Sequence, residues 1–315
     1  MNTTDTATRD KIKMLQSAIG RIVKGKQDVI ELAVVALLGE GHLLIEDVPG
    51  VGKTTLGHAL ARSLDCDFHR IQFTSDLLPS DVLGVSIFNP TVSEFEFKHG
   101  PIFANIILAD EINRTTPKTQ SALLEAMNEN QVTIENITYP LPRPFMVLAT
   151  QNPVEHHGTY PLPESQLDRF MMRIKVGYPD STAEKEILKR FSNGNNIRPI
   201  EPVLNPAEVL FLQDEAHRVH TDESLLDYMI DLVNRTRNHP DIELGVSPRG
   251  TVALFRATQA LALVKGRSFV IPDDIKRLAM PVFGHRLALA RTGTRARTDA
   301  GTVLKSILDE TPIPA

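Results

Sequence analysis

The chain has no tryptophan, one cysteine and four tyrosines in 315 residues. The lone Cys66 excludes an internal disulfide framework and any zinc site built on cysteines, and it fits a reducing, cytosolic home. Long apolar runs are missing. The longest, such as 33–38, fall far short of the ~20 residues that a bilayer crossing needs. The N-terminal MNTTDTATRDKIK has no apolar segment of the signal-peptide kind. Basic excess is missing too: 34 Lys and Arg stand against 39 Asp and Glu, for a net charge of −5. A general nucleic-acid footprint needs a basic face or stripe, so at most a local basic loop remains open. Tandem repeats and low-complexity segments are absent. What is left is ordinary globular composition, 42% hydrophobic and 23% charged, with length for about two domains.

The most informative stretch is Asp47-Val-Pro-Gly-Val-Gly-Lys-Thr-Thr55. An apolar run at 43–45 precedes it and a helix-like run at 54–64 follows. Strand, glycine-rich turn, Lys-Thr and helix together make a grip for a nucleotide triphosphate, because backbone N–H groups in the turn and at the helix start point at the phosphates. Gly50 and Gly52 have no Cβ and let the backbone come close. Lys53 reaches the β- and γ-phosphates, and the Thr54 hydroxyl sits on Mg²⁺. Pro49, Gly50, Val51, Gly52, Lys53, Thr54 and Thr55 are therefore the candidate nucleotide-binding residues. One position departs from the pattern G-x-x-x-x-G-K-[ST], which has glycine where this chain has Asp47. Aspartate tolerates left-handed backbone better than most residues, so the turn is expected to survive.

A second anchor is Asn105-Ile-Ile-Leu-Ala-Asp-Glu111, an apolar, buried-type strand ending in two carboxylates. Ligands in doubly wound sheets sit off the carboxyl ends of the strands. That places Asp110 to hold Mg²⁺ through water and Glu111 to orient the attacking water. A further buried strand, 145–151, ends in Asn152-Pro153. Asn152 is either a turn asparagine before proline or a hydrogen-bond partner of the attacking water or γ-phosphate; its position beside the carboxylates favours the latter. His156-His157 is not a metal pair, since neighbours on an extended chain point opposite ways. Arg169, in Leu162-Pro-Glu-Ser-Gln-Leu-Asp-Arg-Phe170, is either a locally paired surface arginine or one aimed at a neighbouring subunit's phosphate. Periodicity does not separate the two.

Helices are expected at 11–23 and 28–38, with residues 1–10 frayed. Helices flanking a strand that feeds a phosphate loop imply a three-layer α/β core with a parallel sheet. The segment 95–100 reads as a small hairpin or insert, and 132–139 as a hairpin turning at Glu135-Asn136. Gly177 marks a boundary. Residues 1–177 form the nucleotide-binding core and 178–315 an all-helical lid, with helices at 183–191, 206–219, 223–237, 248–264, 272–279 and 302–308. Asn205, Asp222 and Ser247 are the expected N-caps, with Pro206 and Pro248 at the first helical position. Asn193-Gly194-Asn195 closes a helix. Arg249 falls in a helix's first turn, where the dipole disfavours a cation. Either a bound phosphate is the reason for the placement, which is the favoured reading, or Arg249 is a solvated arginine at a cost of a few tenths of a kcal/mol.

DVPGVGKT, ILADEINRTTPKTQSALLEAMNENQVTI, VLATQNPVEHHGTYPLPESQLDRF and GVSPRG, in that order, resemble the MoxR subfamily of AAA+ ATPases, over about 20–289. The resemblance implies an AAA+ core with a helical lid and a ring-shaped homo-oligomer, usually a hexamer. It makes Lys53 and Thr54 part of Walker A, Asp110 and Glu111 Walker B, Asn152 sensor 1, Arg169 the arginine finger acting on the adjacent subunit's ATP, and Arg249 sensor 2. Residues near Val23 would line the adenine pocket, and both hairpins would face the ring's pore. ATP and Mg²⁺ are the implied cofactors. A client protein is the implied partner, often with a von Willebrand factor A domain protein. The expected activity is ATP hydrolysis driving chaperone-like remodelling. A nucleotide-gated binding module with slow hydrolysis is the alternative. A nucleic-acid motor is disfavoured by the net charge and by a hairpin, VTIENITY, without Lys or Arg. A small-molecule kinase fits the lid least.

Overall fold

The computed structural model describes residues 3–48, 50–91, 93–152, 159–192, 201–290 and 299–314. Helices α1 (Thr3–Ile22) and α2 (Gln27–Leu38) precede strand β1 (Leu43–Glu46), after which come α3 (Lys53–Ser63) and β2 (Phe68–Gln72). The first helix starts two turns before the expected residue 11, and residues 3–10 are helical rather than frayed. The buried Thr8 lies one turn before Ile12 and extends the stripe of Ile12, Leu15 and Ile19. A short α4 (Pro79–Leu83) leads into the hairpin of β3 (Gly84–Asn89) and β4 (Glu94–His99). Then follow β5 (Ile106–Asp110), a 3-10 turn at Ile112–Arg114, and α5 (Pro117–Glu129). The second hairpin pairs β6 (Gln131–Ile134) with β7 (Ile137–Pro140). Its turn residues Glu135 and Asn136 have φ of 50° and 67°, the primed geometry that a two-residue hairpin loop favours. Strand β8 (Met146–Gln151), α6 (Glu164–Leu167) and β9 (Met172–Ile174) complete the α/β part.

The five strands run parallel in the order β2-β5-β8-β1-β9. Alternation along each strand splits the apolar residues between two faces. Leu43, Ile45, Ile106, Leu108 and Leu148 pack toward α1, α2 and α3. Leu44, Ile107, Ala109, Val147 and Ala149 pack toward α5 and the hairpins. Helices on both faces give the expected three layers.

After β9 the architecture changes to α7 (Ser181–Ser192), α8 (Pro206–His217), α9 (Glu223–Asn238), β10 (Ile242–Leu244), α10 (Pro248–Val264), α11 (Pro272–Phe283), β11 (Ala288–Leu289) and α12 (Ala300–Glu310). Among the described residues the lid is helical, with one two-stranded antiparallel ribbon, β10 with β11. The Asn205, Asp222 and Ser247 side chains accept from the N–H groups of Glu208, Ser224 and Gly250, as N-caps do. The expected helix closure at 193–195 lies outside the described residues. Lid residues such as Leu212, Leu254 and Leu278 join the α1–α2 face of the sheet in one continuous core. Among the described residues no helix is long and apolar enough to cross a membrane.

Candidate functional site

Strand β1 ends into the phosphate-loop segment. Gly50 and Gly52 have φ of 85° and 95°, a region that a Cβ disfavours, so the backbone conformation itself requires glycine there. Helix α3 begins at Lys53, and its free N–H groups open onto the loop. Lys53 is buried, and its ammonium donates to the carbonyl of Asp47 at 2.9 Å. Val51 and Thr54 are half-buried and Thr55 is exposed. Pro49 lies outside the described residues. Asp47 does not need the left-handed tolerance expected of it, since its φ is not positive. Its carboxylate accepts from Val48 N at 2.8 Å and from Gly177 N at 2.5 Å. The residue that replaces glycine thus ties the loop to the segment after β9. Val23 sits in the apolar core and is 7% exposed, which leaves little of its side chain for a base. The turn after it meets that same segment, with Lys26 Nζ donating to the carbonyl of Tyr178 at 2.6 Å.

The two carboxylates stand at the end of β5. Asp110 is buried; its Oδ1 accepts from Thr150 Oγ1 at 2.6 Å, and its Oδ2 from Arg70 Nη2 at 2.6 Å and Nε at 3.2 Å. Glu111 adopts φ 59° and ψ 48°. For a non-glycine residue that costs roughly 1–2 kcal/mol, strain of a kind that collects at functional sites. Thr150 stabilises the bend by accepting from Glu111 N at 2.9 Å. The Glu111 carboxylate accepts from Gln72 Nε2 at 2.9 Å and pairs with Arg114 at 3.2 Å. Asn152, buried, follows the end of β8, whose Gln151 is in register with Glu46 at the end of β1. Asp47, Asp110, Glu111 and Asn152 therefore gather at one edge of the sheet. Arg70, Gln72, Arg114 and Thr150 were not singled out from the sequence. Arg114 stands only three positions after Glu111; for the other three the only signal is that β2 and β8 flank β5, and a sheet order is not written in spacing.

Thr54 and Asp110 supply a hydroxyl and a carboxylate, hard oxygen donors of the kind Mg²⁺ takes alongside phosphate oxygens and water. The donor set fits that ion. In this structure the Asp110 carboxylate pairs with Arg70 at 2.6 Å. The excluded His156-His157 pair lies outside the described residues.

The two arginines lie elsewhere. Met171 N donates to the carbonyl of His42, just before β1, so the segment carrying Arg169 borders the edge where the parallel strands begin. The phosphate loop borders the edge where they end, about 13 Å away along a four-residue strand. Arg169 Nη1 donates to the carbonyl of Leu124 at 2.6 Å, and its buried Nε has no partner. Burial first, then the charge of Arg249 nearby, lowers its pKa. Arg249 is exposed in the first turn of α10. Ser247, which caps that helix, donates to Asp168 at 2.8 Å, next to Arg169. The structure thus brings Arg169 and Arg249 together, away from the phosphate loop of their own chain.

A phosphate loop after β1 of a five-stranded parallel sheet, two carboxylates at the end of β5, one strand further across the sheet beyond β8, and a helical lid define a phosphate-loop α/β fold with an appended lid. Residues 42–172 match the family described as ATPase family associated with various cellular activities (AAA), and residues 234–307 match the AAA lid domain. The chain is 50% identical over 296 residues to the uncharacterized protein YeaC of Bacillus subtilis, covering 94% of this chain and 92% of that one. It is 40% identical over 305 residues to Chaperone MoxR1 of Mycobacterium tuberculosis, covering 94% and 80%. Protein MoxR of Paracoccus denitrificans is 30% identical, with 87% and 88% covered. The solved structure of a Cytophaga hutchinsonii protein described as a candidate ATPase superposes with a TM-score of 0.92 at 42% identity, covering 99% of this chain and 97% of that one. The chain belongs to the MoxR family of AAA+ ATPases.

Proposed function

We propose that this chain hydrolyses ATP in a homo-oligomeric ring, six-membered as its resemblance implies, and uses the cycle to remodel a client protein. The observation that carries this reading is the placement of the site's two halves on opposite edges of the sheet. Lys53, Thr54, Asp110, Glu111 and Asn152 belong to one edge; Arg169 and Arg249 belong to the other. This separation supports a site completed by a second copy. The name of the relative Chaperone MoxR1 supports the client-directed role, and a von Willebrand factor A domain protein is the candidate partner. A cytoplasmic home is proposed on the single cysteine.

The N–H groups of the loop and of the start of α3 cradle the phosphates, and Lys53 turns from the Asp47 carbonyl to the β- and γ-oxygens. Thr54 and Asp110 would hold Mg²⁺, which would supply charge neutralisation on those oxygens. Glu111 orients the attacking water and takes its proton, and Asn152 fixes the water or the γ-phosphate. Arg169 and Arg249 of the adjacent subunit meet the charge that develops in the transition state.

The test is ATP turnover against protein concentration for wild type and Glu111→Gln, with mass in solution read in parallel. Specific activity should rise as the ring forms, and Glu111→Gln should bind ATP without turning it over. Activity flat with concentration in a protein that stays monomeric with ATP would replace this reading with a nucleotide-gated binding module.

A further inference from the structure

A second cluster of charge, centred on Asp168, does not face the phosphate loop. Asp168 follows α6, immediately before Arg169. Its Oδ1 accepts from Arg286 Nε at 2.7 Å. Both its oxygens lie within reach of Ser247 Oγ, at 3.0 and 2.8 Å. Arg286 follows α11 in the lid and is 4% exposed. Its guanidinium also donates to the carbonyls of Asp168 at 3.1 Å, Phe170 at 2.6 Å and Met171 at 3.2 Å, and to that of Val282. One lid arginine therefore holds the backbone on both sides of Arg169. Ser247 completes the link from the other direction. While donating to Asp168 it accepts from Gly250 N at 3.1 Å, and so caps the helix whose first turn carries Arg249. Contact is close, because a Cβ on Gly250 would come within 2.8 Å of Arg286 Cδ.

Arg249 stands between Ser247, which donates to Asp168, and Gly250, which lies against Arg286, so the charges of Arg169, Arg249 and Arg286 act on one another. Like charges this near repel one another, and a buried arginine is costly unless it is paired and hydrogen-bonded. The Asp168 carboxylate pairs with Arg286, while Glu125 and Glu129 offset the charge of Arg169. Resting on the ring reading above, we infer that Asp168 is a positioning residue: with Arg286 and Ser247 it fixes Arg169 and Arg249 as one rigid pair. Hydrolysis at a neighbour's nucleotide then depends on this subunit's lid being seated against its own α6–β9 segment. The lid reports its position to the next site through a hydrogen-bonded link.

Asp168→Asn keeps the size of the side chain and removes its charge. The ring should form with ATP affinity unchanged, while turnover falls about 10- to 100-fold, the scale for a misplaced group that does not itself react. The deciding measurement mixes these subunits with Lys53→Ala subunits, which cannot grip ATP but carry intact arginines. Turnover well above the sum of the separate proteins is expected, because each Asp168→Asn subunit with a Lys53→Ala neighbour has a complete site. Arg169→Ala mixed with Lys53→Ala is the parallel control. If the control recovers and Asp168→Asn does not, Asp168 acts only on its own subunit and the inference falls, while the ring reading stands. If the control does not recover either, the trans reading fails and takes the inference with it. Wild-type turnover in unmixed Asp168→Asn overturns the inference outright. Should Asp168→Asn not fold, Ser247→Gly serves instead, since glycine is an adequate N-cap and only the link to Asp168 is lost; the same outcomes apply.

Discussion

At Asp47 a carboxylate stands where the phosphate-loop pattern has glycine, and the backbone absorbs it without entering the left-handed region. At Glu111, by contrast, a long side chain does occupy that region, held there by the Thr150 hydroxyl. His42 shows the same economy in the core. Its Nε2 meets the carbonyl of Met127 at 2.9 Å and its Nδ1 accepts from Val147 N at 3.1 Å, which fixes a neutral ring protonated on Nε2. Burial lowers its pKa from 6.5 to about 4. The folded state binds a proton less readily than the unfolded one, so this contribution to stability is present above pH 6.5 and is lost as pH falls toward about 4. The loss is on the order of 3 kcal/mol. Burial together with the charge of Arg286 lowers the pKa of His285 and adds to the same trend. An imidazole NMR titration should show His42 still neutral well below pH 6.5; a midpoint at the ordinary value would refute the assignment. None of these roles was legible in the sequence, because each depends on which strand lies beside which.

At the scale of elements, local chemistry was far more readable. Asn205, Asp222 and Ser247 cap the helices they were expected to cap. Asn205 goes further, forming a reciprocal pair in which Glu208 Oε2 accepts from Asn205 N at 2.9 Å. Asn205→Ala should destabilise the protein by about 1 kcal/mol, read as a lower urea midpoint at unchanged slope; an unchanged midpoint would show that the cap contributes nothing. The hairpin turn at Glu135-Asn136 was legible for the same reason, since two residues between alternating runs leave the backbone few choices. Strands β10 and β11 were not. At three and two residues they are too short for alternation to show, and their pairing joins segments more than forty residues apart in the chain. The early start of α1 was missed because its first turns are polar, and only packing decides that Thr8 is buried.

For the whole molecule, the decisive feature is the separation of the phosphate loop from Arg169 by the length of the sheet. The lid shares its core with the α1–α2 face, which seats α10, and with it Arg249, beside Arg169 rather than over the loop. The proposed ring then has a specific consequence. Arg169→Ala should bind ATP normally and lose about 10³-fold or more in turnover, the scale of an arginine finger. Isothermal titration and steady-state turnover on the same preparation separate the two effects; wild-type turnover would remove Arg169 from the mechanism.

The sequence by itself determined the core strands and most of the helices, their caps, the turn at Glu135-Asn136, and the chemistry at the strand ends: glycines, Lys53, Thr54, Asp110 and Glu111 are local signals, set by backbone conformation and by neighbours a few positions away. Sheet order, the Arg70–Asp110 and Gln72–Glu111 contacts, and the meeting of Arg169, Arg249 and Arg286 around Asp168 were decided only by the tertiary structure. Each joins residues distant in the chain, and the burial of apolar faces that brings them together is a property of the whole fold rather than of any one segment.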